Sequence, residues 1–169
     1  MKLDRKERFV IVNQLKILEA LFPAEASYYA IQRTAFENGY EAHYELAMDS
    51  ISNDALTEEE SEEVIDTLDM FSALKRSAKS LSDRTGLNDY SLKFRGYDGN
   101  HAEECKLLGY ARYFVVELER FKDILEGQDN HFDFNSHMEV RKVYSRMLVE
   151  WKKIPSGQES GTKHNLTKD

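Results

Sequence analysis

Cysteine is all but missing from this chain. A lone Cys105 in 169 residues excludes an internal disulfide framework and suits a reducing cytoplasm. Long apolar runs are missing too: none approaches the roughly 18 residues that a membrane span needs, so no membrane partner is expected. An excess of positive charge is lacking. The net charge of -8 argues against the electrostatic footprint of sequence-independent nucleic-acid binding. No GxSxG, HExxH or phosphate-cradling glycine loop occurs. The acid-containing start Met1–Arg8 opens a helix and does not read as a signal peptide.

What remains is a globular composition, 41% hydrophobic and 32% charged, at a length that buries roughly 70% of its unfolded surface. Asp4 with Glu7 makes a capping box ahead of Phe9, Val12, Leu15, Leu18 and Phe22, predicting a helix over about 5–22 that Pro23 stops. A second helix is expected from Pro23 to Asn38, closed by Gly39 with Tyr40 as the apolar contact. Residues 41–52 read as helix more than strand, and Ser52-Asn53-Asp54 punctuates the chain. Thr57 with Glu60 caps a long helix to about residue 82, striped by Val64, Leu68, Phe71, Leu74, Ala78 and Leu81. Residues 90–95 alternate, a short extended segment. A helix over 101–126 follows, with Leu107, Ala111, Phe114, Leu118, Phe121 and Leu125 on one face. Ser136 with Glu139 opens a last helix, with Val140, Val143, Met147, Trp151 and Ile154 inward, stopped by Pro155. The fold class is therefore all-α: one multihelical domain of five or six helices over 1–155, with 156–169 as a mobile tail.

Several clusters invite chemistry. Glu58 to Asp66 contains EExxE twice and an ExxD, the elements with which all-α nucleotide pyrophosphatases hold Mg²⁺. A metal-dependent nucleotide hydrolase using Glu59, Glu62, Glu63 and Asp66 is the alternative reading. The plainer account is acids filling the first turns of a capped helix, where the macrodipole favours them. His101 and Cys105 share a helix face, but an isolated cysteine reads as a buried, inert thiol. His131, Asp133 and His137 fall short of a closed zinc site. Phe134 and Val140 replace the Gly and Glu that a calcium loop demands. No metal or cofactor is assigned. Lys142, Arg146 and Lys153, with Arg141 and Lys152 beside them, form a basic stripe suited to an acidic surface such as the start of the 57–82 helix.

The chain resembles the YfbU-like family from about Arg8 to Pro155. The resemblance rests on Asn13-Gln14-Leu15-Lys16, Gly39-Tyr40, and Val64-Ile65-Asp66 with Met70-Phe71-Ser72-Ala73-Leu74. Phe94-Arg95-Gly96-Tyr97-Asp98 then leads to Gly109-Tyr110-Ala111-Arg112-Tyr113, and Tyr144-Ser145-Arg146-Met147-Leu148 precedes Trp151. Either Glu103 or Glu104 corresponds to the family's helix-start acid. The resemblance implies a domain of uncharacterised function. Some relatives carry it beside a DNA-binding module, which implies a ligand-sensing or interaction role. No room for such a module is expected ahead of Arg8.

The expectation is a non-enzymatic, cytoplasmic, homo-oligomeric domain that binds a small anionic ligand or a protein partner. The expected site lies where the Arg95–Asp98 turn meets the 101–126 helix and the start of the last helix. There Arg95 or Arg112 would pair an anion, Asp98 and Asn135 would cap or orient, and Tyr97 and Tyr113 would supply aromatic walls. The structural alternative has Asp98 or Asn100 capping and Arg112 paired with Asp66.

Overall fold

A computed structural model describes residues 2–49, 51–52, 55–129, 131–157, 161–163 and 166. The expected break at Asn53-Asp54 and much of the 156–169 tail lie outside these residues. Among the described residues there are five α-helices and no β-strand, the all-α class that the periodicity predicts. The chain falls into two compact units, Met1–Ala55 and Leu56–Asp169.

In the first unit, α1 (Arg5–Leu21) starts as its capping box dictates. Asp4 Oδ1 accepts from the Lys6 and Glu7 amides, and Glu7 Oε2 accepts from the Asp4 amide. Pro23 then opens a 3₁₀ turn, and α2 (Ala26–Asn38) ends at Gly39 in the left-handed conformation, φ +73°. Two further 3₁₀ turns, Glu41–His43 and Glu45–Met48, carry Tyr44 back under α2. There it stacks on Phe36 at 4.7 Å, closing a small core with Val12 and Leu15. Arg33 of α2 ties the helices together by pairing Glu19 of α1 at 2.6 Å. Phe9 and Phe22, expected inward, are exposed. Two helices and a returning turn can cover only one narrow stripe of α1, and Val12 and Leu15 occupy it. Phe9, Val10, Ile17 and Leu21 of α1 and Ile31 of α2 are left as exposed apolar residues.

The second unit is built on α3 (Glu58–Ser80). Its Thr57–Glu60 capping box forms in both directions. Val64, Leu68 and Phe71 of α3 meet Leu107 and Ala111 of α4 (Ala102–Arg112) and Leu148 of α5 (Arg141–Lys153) in one continuous core. The long helix expected over 101–126 does not run through. After Arg112 the chain makes one π turn, Tyr113–Glu117, then breaks at Glu119 and Phe121, both at positive φ, before a 3₁₀ turn at Lys122–Leu125. A π turn takes an extra residue and so shifts the helical phase. Val115 becomes wholly buried, while Leu118, meant for the same face, is exposed. Side chains of α3 hold the returning turn: Ser72 Oγ donates to Asp123 Oδ2 at 2.6 Å, and the Lys75 ammonium donates to the Asp123 and Glu126 carbonyls.

The alternating run at 90–95 is turn through Leu92. The ladder contact comes just beyond it, a parallel bridge between Tyr97 and Asn135 within the chain. The Tyr97 amide donates to the Phe134 carbonyl and the Ser136 amide to the Tyr97 carbonyl, both at 3.0 Å. Gly96 makes this crossing feasible. Its φ is +82°, and a Cβ there would lie 1.8 Å from the Phe134 carbonyl oxygen. Nothing but glycine fits both conditions. Gly96→Ala is expected to cost more than about 3 kcal/mol, because strain and a backbone collision add. Urea titration of the folded variant within 1 kcal/mol of the parent would refute this account.

Candidate functional site

The Phe94–Asp98 segment lies over an aromatic nest. Phe94, Tyr97 and Tyr144 make mutual ring contacts at 5.6–5.8 Å, with Phe71 edge-on to Tyr144 at 5.1 Å. The Tyr144 hydroxyl accepts from the Arg95 amide at 3.1 Å, and burial pushes its pKa up to about 12. The Tyr97 ring is wholly buried, which raises its pKa as well. Its hydroxyl lies beside Thr67 without a hydrogen-bond partner of usable geometry. Thr67 donates elsewhere, to the Glu63 carbonyl at 2.7 Å.

Glu104 organises what lies next to this nest. It is 2% exposed, and one of its oxygens accepts from the Asp98 amide at 2.9 Å. The other accepts from the Val140 and Arg141 amides at 3.0 and 2.8 Å. Those last two belong to the first turn of α5, whose cap residue Val140 offers no side-chain oxygen. A helix begins with amides that lack intrahelical partners, and a carboxylate there meets both the hydrogen bonds and the positive end of the dipole. The expected Ser136–Glu139 cap does not form. Ser136 Oγ donates to the Met138 carbonyl, and α5 starts five residues later.

Above this satisfied layer opens a polar cleft of about 500 Å³, lined by His101 and Glu103 on one side and Glu139, Arg141, Lys142 and Ser145 on the other. Arg141 is anchored from behind, its guanidinium forked onto the Glu63 carboxylate at 2.8–3.0 Å. Along the walls of the cleft the polar groups stand further apart. Arg141 to Glu103 is 3.8 Å, His101 to Glu139 is 3.9 Å and Lys142 to Glu139 is 3.7 Å. These separations exceed a hydrogen bond, so the groups attract one another yet keep donors and acceptors to spare. His101 Nδ1 is buried without a partner.

The acidic run on α3 turns inward onto basic residues. Glu60 pairs with Lys106 at 2.7 Å, Glu63 with Arg141, and Asp66 with Lys152 at 2.8 Å. Of the basic residues in and beside the stripe, Arg141 and Lys152 meet this acidic run within the same chain, while Lys142 and Lys153 pair locally with Glu139 and Glu150. Among the described residues, no three His, Cys, Asp or Glu side chains converge as metal ligands. No helix among them is long and apolar enough to cross a membrane.

The residues expected at the site are scattered around this cleft. Tyr97 and Asn135 meet at the bridge, and Asn135 Oδ1 accepts from the Gly99 and His137 amides at 3.0 Å. Asp98 is buried and accepts from the Asn100 amide at 2.9 Å. Arg95 is half-buried, its guanidinium 4.9 Å from the Tyr90 ring centre. Arg112 and Tyr113 are exposed at the far end of α4, and the suggested Arg112–Asp66 pair does not form because Lys152 holds Asp66. Cys105 is exposed, not buried, because Glu104 takes the inner face one residue before it. Glu104 itself left one trace in the sequence: it stands in phase with Leu107 and Ala111, a carboxylate on the buried stripe.

The family model of the YfbU domain matches residues 1–167. The chain belongs to the YfbU domain family. In this YfbU domain Glu104 is buried in the first turn of α4, and Glu103 beside it is exposed.

Two outcomes follow for this YfbU domain. Glu104→Ala strands two buried amides and a partly buried one, and is expected to cost about 3 kcal/mol or more, lowering Tm by roughly 10 °C in a chain of this size. A calorimetric Tm within 2 °C of the parent would refute the assignment. Separately, the Lys106 ammonium and the Thr57 amide hold the Glu60 carboxyl below its ordinary value of 4.5. A depressed carboxylate contributes stability that is full above 4.5 and is lost as the pH falls through the lower folded value. Acid unfolding of Glu60→Gln should therefore depend less on pH below 4.5, and an unchanged slope would count against the pair.

Proposed function

We propose that this YfbU-domain chain is a non-enzymatic binding domain. Its cleft at the start of α5 takes a small polar ligand that carries both an anionic and a cationic group. Arg141 and Lys142, in place of Arg95 or Arg112, would receive the anionic group, and Glu103 and Glu139 the cationic one. The observation that carries this reading is the contrast between floor and walls. Beneath the cleft, Glu104 is fully engaged with backbone amides and Arg141 is fixed by Glu63. On the walls, Arg141 and Glu103 stand 3.8 Å apart and Lys142 and Glu139 3.7 Å. Ligand groups that approach these walls gain hydrogen bonds that the protein does not make alone, and the fixed floor lowers the ordering cost of binding.

The same engagement weighs against the metal-dependent hydrolase. Two of its four acids, Glu63 and Asp66, are paired to Arg141 and Lys152, and a divalent cation would have to displace both. Glu104, the most buried carboxylate in the region, is spent on backbone amides and is not free to act as a base.

The test is a thermal-shift and calorimetric screen of amino acids and short dipeptides against simple carboxylates, phosphate and amines. A zwitterion is expected to bind best. Lys142→Glu and Glu139→Lys should each weaken it about tenfold, near 1.4 kcal/mol, and the double exchange should recover part of the loss. Undiminished binding in both single variants would place the ligand elsewhere, and a stronger response to Mn²⁺ than to any organic probe would restore the hydrolase reading.

A further inference from the structure

Independently of that cleft, a second surface runs along the other face of α5. Met70 and Leu74 of α3 and Val143, Met147 and Trp151 of α5 line an apolar groove of about 540 Å³, and Leu166 lines it as well. Leu166 comes from the polar segment after α5. Its described residues make contacts of three chemically distinct kinds, with one another and with the helix pair. The Thr162 hydroxyl donates to the Gly157 carbonyl and the Lys163 amide to the Pro155 carbonyl at 2.8 and 2.9 Å, turning the chain back. The Lys163 ammonium sits 5.5 Å from the Trp151 ring centre, where the ring's negative face attracts it. The Leu166 amide donates at 3.0 Å to the hydroxyl of Ser77, itself a buried residue of α3.

The last two contacts, with Leu166 on the groove lining, are how a groove recognises a peptide: a face for a cation, a buried acceptor for a backbone amide, and an apolar subsite for the side chain beside that amide. The tail supplies this pattern as Lys163 followed three residues later by Leu166.

We infer that the α3–α5 groove is a docking site for a protein segment bearing a basic residue three positions before a leucine, and that the chain's own Lys163 and Leu166 occupy it as an intramolecular competitor. The partner is defined by the chemistry of its stand-in. Arg146 and Glu150 line the same groove, one cation and one anion, so net charge does not select the partner and the cation–ring contact must.

The test uses the full-length chain and a fluorescein-labelled peptide of residues 156–169, read by anisotropy. A tethered competitor on a short linker acts at an effective concentration of about 1 mM, so a peptide with a Kd near 100 µM should bind Leu166→Asp about tenfold more tightly than the parent. Lys163→Ala in the chain, which leaves every groove residue intact, should give a smaller gain in the same direction. Lys163→Ala in the peptide should weaken its binding to the Leu166→Asp chain. Failure of the peptide to bind either released chain, or equal binding to parent and variants, overturns the proposal. A concentration-dependent dimer of the parent that Leu166→Asp abolishes also overturns it, giving the groove to the tail of a second copy.

Discussion

Three backbone amides converge on the carboxylate of Glu104, and the larger unit is arranged around that contact. The amides come from places far apart in sequence: Asp98 in the turn before α4, and Val140 and Arg141 at the head of α5. Burying a carboxylate costs several kcal/mol, and removing one to leave the amides bare costs no less. The arrangement is stable because the charged acceptor and the dipole of α5 are brought in together, each making good the other's lost water. The crossing of Tyr97 with Asn135 depends on the same contact, since both of its arms run directly into groups that Glu104 holds.

A second set of charges works at lower stakes. Glu60, Glu63 and Asp66 lie along one side of α3 and meet Lys106, Arg141 and Lys152 from the two helices packed against it. Of these the Arg141–Glu63 pair is forked and partly shielded, the geometry in which an ion pair contributes more than the few tenths of a kcal/mol usual at a surface. The pair also fixes Arg141 at the edge of the cleft. An acidic run that resembles a metal motif in sequence thus serves to orient a cation.

What the sequence made legible divides along a physical line. The capping boxes at Asp4–Glu7 and Thr57–Glu60 formed as read, because donor and acceptor sit three residues apart and need no tertiary information. The glycine closing α2 was equally local. Failures cluster where the deciding partner is distant. The start of α5 was misplaced because its cap lies 36 residues upstream, and Ser136 and Glu139 offered a plausible local substitute. The 101–126 helix was drawn too long because a periodic stripe carries no sign of a π turn, which moves Val115 inward and Leu118 out. That the 95–98 turn approaches the start of α4 and the head of α5 was legible. Which side chains meet there was not: Arg112 and Tyr113 attract notice by type but lie at the far end of α4, whereas Glu104 and the head of α5 are brought together only by neighbours in space.

The head of α5 and its later turns serve different surfaces. Arg141, Lys142 and Ser145 face the polar cleft, while Val143, Met147 and Trp151 face the apolar groove that Leu166 also lines. Lys142 and Trp151 are separated by about 14 Å of helix, at 1.5 Å per residue. Over that length a helix transmits an axial shift almost undiminished, since its hydrogen bonds run along the axis. Glu104 is the contact that sets where α5 begins, and hence the depth at which Lys142 enters the cleft and Trp151 meets Lys163. Loosening that one carboxylate would blur both surfaces together. A change confined to Leu166 or Lys163 would open the groove and leave the cleft as it was, and on that asymmetry the functions of the two surfaces can be told apart.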